Sequence, residues 1–113
     1  MKYILILALL CLPLAAQTPT EQHSVTLNWE DALNPAGTTY SIYRAPGLCS
    51  GAPTFAKLAT GVNVKTYVDA TVTPGNYCYQ VTAVYASIES APSNSALAPV
   101  PSWAPSKLTV TVK

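Results

Sequence analysis

Residues Gly75 to Tyr85, GNYCYQVTAVY, place an apolar or aromatic side chain at every second position: Tyr77, Tyr79, Val81, Ala83 and Tyr85. Cys78, Gln80, Thr82 and Val84 stand between them, so the period is two, that of a β-strand. A strand of this length with one face on a core needs a second sheet to cover that face. The rest of the chain offers matching segments. In His23 to Glu30, Val25, Leu27 and Trp29 alternate with Ser24, Thr26 and Asn28, and in Tyr40-Ser-Ile-Tyr-Arg, Tyr40 and Ile42 share one face, Ser41 and Tyr43 the other. Phe55 to Ala59 reads as a short edge strand, Thr66 to Val72 as a further strand and Ser95 to Val100 as the last. Turn chemistry separates them: Asn-Pro-Ala-Gly within Asp31 to Thr38, Gly61 to Lys65, Thr73-Pro74-Gly75-Asn76, and the polar stretch Ala86 to Asn94 with Pro92. With strands at this spacing and no helical period, the fold class is an all-β sandwich or barrel.

The opening residues are set aside from the fold. Lys2, the apolar run Ile4 to Leu12 and the small Ala15 and Ala16 have the form of a secretory signal peptide, which gives residues 1–16 as leader with cleavage after Ala16. The run is too short to span a bilayer, and no later apolar run is longer. A lipidated cysteine at Cys11 is disfavoured, because Ala8-Leu9-Leu10 lacks the small residue expected just before it. About 100 residues remain, enough for one domain. Their charges balance, with Arg44, Lys57, Lys65, Lys107 and Lys113 set against Glu21, Glu30, Asp31, Asp69 and Glu89. No basic cluster exists to attract nucleic acid or an anionic membrane surface.

Once the leader is removed, Cys49 and Cys78 form an even pair, and in an exported, secreted or periplasmic protein the default is a disulfide. Closing a loop of about 30 residues would contribute ~3 to 4 kcal/mol on the chain-entropy account. A metal site is the rival for the two thiols, but with the distant His23 they do not make a set of four ligands. Cys49 lies in Ala45 to Pro53, a segment too rich in Gly and Pro for a regular ladder.

Leu27-Asn-Trp29, Tyr40-Ser-Ile42-Tyr-Arg44, Val72-Thr-Pro74-Gly-Asn-Tyr77, Val81-Thr-Ala83-Val and Ser90-Ala-Pro92-Ser-Asn94 occur in the order and spacing of a fibronectin type III domain, which residues 23 to 100 resemble. The resemblance implies a seven-stranded immunoglobulin-like β-sandwich over residues 17–101. Trp29 is then the core aromatic beside Tyr40, Ile42 and Val81, and Tyr77 the residue of a tyrosine corner with its hydroxyl bonded to backbone near Val72. Cys78, next to Tyr77, would point away from the core, so the disulfide would clip its loop onto the outer face of the sheet. The departure is at the start. Family members carry a Pro-x-x-Leu-x-Val-like strand before the tryptophan strand, and Gln17 to Gln22 has no such alternation. That pattern stands instead in the Pro-rich tail, residues 102–113, as Pro105-Ser-Lys-Leu108-Thr-Val110-Thr-Val112. The tail could open a following repeat, fold back as an extra strand, or pair with a neighbour's sheet edge through residues 105–113, and beside any of these Gln17 to Gln22 could form a short, poorly paired and atypical first strand.

No set of residues promises catalysis or a cofactor. His23 has no nucleophile to serve and reads as an exposed polar residue. Glu30 and Asp31 are adjacent on a strand end and diverge to opposite faces, while Asp69 and Glu89 come from separate segments and form no recognisable acid pair. Gly47 and Gly51 flank Cys49 without the lysine and serine of a phosphate loop. Aromatic side chains are the remaining candidates for ligand contact: Tyr43 outward from its strand, Tyr85 near a strand end and Trp103 in the tail. The sequence therefore reads as a non-enzymatic interaction or spacer module with an unidentified protein or glycan ligand. Its alternatives are a small carbohydrate-binding protein using those aromatics, or an assembly subunit donating its C-terminal strand.

Overall fold

The computed structural model describes residues 23–113. The leader, residues 1–16, and the lead-in, residues 17–22, lie outside the described residues. Seven strands follow one another without a helix: β1 (His23–Asn28), β2 (Thr39–Pro46), β3 (Ala56–Val62), β4 (Thr66–Val72), β5 (Gly75–Tyr85), β6 (Ile88–Glu89) and β7 (Ala96–Val100). They form two sheets, β1-β4 and a five-stranded sheet in the order β3-β2-β5, with β6 and β7 both on the far side of β5. All pairings are antiparallel.

β5 is the centre of the larger sheet, as its length and alternation predict. Its register with β2 sets Ile42 opposite Val81 and Tyr40 opposite Ala83 on the inner face, and Ser41 opposite Thr82 and Ala45 opposite Cys78 on the outer. Tyr40, Ile42, Tyr79, Val72 and Val100 are buried between the layers. Trp29, Tyr77 and Val81 are half-buried, and the Trp29 ring meets Tyr40 edge-on at 5.3 Å between centroids.

The other edge of β5 is completed in three pieces. β7 pairs with Gly75 to Tyr79 and β6 with Val84 and Tyr85. Between them Pro92, which has no amide to give, excludes a regular ladder, and two serines substitute for it. The Val81 amide donates to Ser93 Oγ at 3.0 Å and the Ala83 amide to Ser90 Oγ at 3.0 Å. The serine amides return bonds to the Val81 and Ala83 carbonyls at 2.8 Å each.

Three expectations on strand limits change. Gly61 belongs to β3, not to a turn: the register with β2 shifts between Tyr40 and Ile42, and Gly61, at a φ of 71°, absorbs the extra residue as a bulge. β2 runs on to Pro46, beyond the last partner that β3 supplies, so the missing proline amide leaves no gap in that ladder. Ala86 to Asn94 contains a hairpin, Tyr85-Ala86-Ser87-Ile88. Its central residues take φ of 51° and 65°, as a tight right-twisted turn requires.

Candidate interaction surface

The chemistry-bearing side chains fall into four groups. The first lies between the sheets. Arg44 shares the inner face with Tyr40 and Ile42, and an inward cation needs a counter-charge. Asp69 of β4 supplies it. This carboxylate is 1% exposed, and its Oδ2 takes Arg44 Nη1 at 2.8 Å and the Tyr79 hydroxyl at 2.7 Å. Thr71 gives its amide and hydroxyl to Oδ1 at 3.0 and 2.7 Å. Burial raises the Asp69 carboxyl, but the bonds from Tyr79, Thr71 and Arg44 outweigh it and hold the group at about 2. Burial, with the carboxylate beside it, pushes the Tyr79 phenol upward. A carboxylate so fully bonded is a structural anchor, not a base.

A second group occupies the outer face of the larger sheet. Tyr43 donates its hydroxyl to Glu89 Oε2 at 2.6 Å, Thr82 donates to the same oxygen at 2.6 Å, and Lys57 Nζ lies 5.7 Å from the Tyr43 ring centre. The Thr82 bond, followed by that of Tyr43, lowers the Glu89 carboxyl. Further along this face Cys49 is bonded to Cys78, with 5.1 Å between their Cα atoms. Cys78 does turn away from Tyr77 and Tyr79, yet it is 0% exposed: the loop that carries Cys49 covers it.

The third group is at the pole where β1 ends. Asp31 caps its own turn through Asn34, at 2.7 Å from Nδ2, and accepts the Tyr40 hydroxyl at 2.8 Å. These bonds, Asn34 first, lower the carboxyl to about 2. Tyr85 and Leu33 are exposed here.

At the opposite pole the Tyr77 hydroxyl accepts the Thr73 amide at 3.1 Å, one residue beyond Val72. Together with the two-sheet topology, this corner matches what the resemblance implies for Tyr77.

Among solved structures, a Fn3-like protein from Clostridium thermocellum superposes with a TM-score of 0.57, at 26% identity over 76% of this chain and 85% of that one. The fourth FNIII domain of a human protein, determined in solution, gives 0.59 at 18% identity over 80% and 77%. The chain has the fibronectin type III fold. No protein-family model and no curated protein matches the sequence.

The fibronectin type III sandwich keeps the three aromatic candidates apart. Tyr43 is half-buried on the outer face, Tyr85 stands next to Gly37, and Trp103 stacks on His23 at 4.9 Å beside Thr71 and Thr73. His23 is not the exposed residue expected; it is half-buried beneath Trp103, with Nε2 buried and without a partner among the described residues. Sequence reasoning missed the Arg44–Asp69–Tyr79 group, although a signal was present: Arg44 falls in the inward phase of its strand.

Proposed function

We propose that this fibronectin type III domain is an exported, non-catalytic interaction module. The observation that carries the reading is the use made of its acids. Asp31 holds a turn, Asp69 ties the two sheets together and Glu89 fastens the β5–β6 hairpin to β2. Each of these carboxylates is held by bonds to its own fold. The Cys49–Cys78 disulfide suits an oxidising compartment, and the leader-like residues 1–16 supply a route to it. No helix among the described residues is long and apolar enough to cross a membrane. Recognition then falls to the surface, since the fold itself names no ligand.

The test is expression of the full chain in a bacterial host, followed by fractionation and N-terminal sequencing. The expected product begins near Gln17, lies outside the cytoplasm and migrates as an oxidised species. A chain retained in the cytoplasm with its leader attached and both thiols free would overturn the reading. Binding to a glycan array that is lost in Tyr43→Ala or Trp103→Ala would replace it with the carbohydrate-binding alternative.

A further inference from the structure

Among the described residues the smaller sheet has two strands, and each presents one unpaired edge. Among the described residues β1 pairs only with β4, so its other edge presents unpaired N–H and C=O groups, a template for an added strand. Other edges are blunted: β3 carries Lys57 and the Gly61 bulge, β4 turns the charged Asp69 inward, and β7 carries Pro99. β1, HSVTLN, has neither lysine nor proline. Beside it lies a groove of about 390 Å³, bounded by Leu27, Trp29 and Glu30 on one side and by Tyr79, Val81 and Ala96 on the other. Trp29 Nε1, in this wall, is buried without an acceptor among the described residues.

The chain also carries a segment with the alternation of a strand and no sheet. Leu108, Val110 and Val112 are 87%, 75% and 87% exposed, with Thr109 and Thr111 between them, and the segment pairs with none of the described residues. We infer that residues Lys107 to Lys113 add as an antiparallel strand to the free edge of β1 in a second copy of this chain. A register that satisfies both faces also sets opposite charges side by side. Leu108, Val110 and Val112 lie beside Trp29, Leu27 and Val25 on the groove side, Thr109 and Thr111 beside Asn28 and Thr26 on the solvent side, and Lys107 beside the exposed Glu30. A one-residue slip would reverse every side chain. The chain's own tail is the poorer occupant. The Trp103–His23 stack makes it leave at the start of β1, so it would run parallel to that strand, the weaker pairing. This inference deepens the module reading by naming the partner; a monomeric result would remove the partner without touching the export test.

The experiment is light scattering on the exported protein over a range of concentrations, beside Thr109→Pro, which removes a ladder donor opposite Asn28 in a segment outside the core. The expected result is a concentration-dependent mass of at least two chains, reduced to one chain by the variant. A single-chain mass throughout, or an assembly indifferent to Thr109→Pro, overturns the inference. Register is tested by mixing chains bearing Thr26→Cys with chains bearing Thr111→Cys. Oxidation should yield a link between unlike chains. A link formed only within chains carrying both substitutions would assign the edge to the chain's own tail and overturn the second copy.

Discussion

β5 is bonded along both edges, by β2 on one side and by β7, the serine loop and β6 on the other, whereas among the described residues β1 is bonded along one edge only. The larger sheet is thus held by its own ladders and by the Cys49–Cys78 link. The smaller one is fastened across the interior by side chains: Asp69 to Arg44 and Tyr79, Trp29 against Tyr40, and Thr73 to Tyr77. Two layers of one sandwich therefore depend on different physics, main-chain pairing in one and a few polar and aromatic anchors in the other.

The largest effect expected is from the disulfide. Replacing Cys49 and Cys78 with serine should lower stability by ~3 to 4 kcal/mol in urea denaturation. Hydrogen exchange should quicken first in the loop from Gly47 to Pro53, and equal quickening in β1 would erase the distinction between the sheets. Asp69→Ala should cost about 3 kcal/mol, the low end for breaking a buried pair, because Arg44 keeps 26% of its side chain in contact with solvent. Here the loss of protection should reach β1 and β4 before β5, and the reverse order would break the comparison. Acid gives a third test. The Asp69 carboxyl is lowered from 3.8 to about 2, so its contribution is complete above pH 4 and is lost as pH falls toward 2. That loss is on the order of 2 kcal/mol, and Asp69→Ala should lack this part of the acid response. The smallest effect runs the other way. Ala86→Asn with Ser87→Gly relieves two non-glycine residues at positive φ and should raise stability by ~0.5 kcal/mol, read as a small rise in melting temperature.

The sequence made the larger sheet legible and left the cross-braces hidden, for a physical reason. Alternation in Tyr77 to Tyr85 and in Tyr40 to Arg44 reports which side chains share a face, and both segments keep that phase. In TYVDATV of β4 hydropathy misleads: Val68 is exposed while Asp69 is buried, because Arg44 and Tyr79, distant in sequence, reward a carboxylate there. Cysteine parity gave the correct pair but not its cover, since Cys78 is shielded by a loop whose path no local pattern records. Gly61 carried the composition of a turn and serves as a bulge. Ala86-Ser87 carries none of the asparagine and glycine that mark a tight hairpin, so β6 could not be read at all. Ser90 and Ser93 stand in the segment that carries the resemblance, yet their role as stand-ins for main-chain donors and acceptors needs the position of Pro92 to be understood.

Trp103 rests on His23, the residue that opens β1. The tail therefore leaves the body at the pole where β1 begins. The loops bearing Leu33 and Tyr85, at the pole where β1 ends, are left clear of its exit.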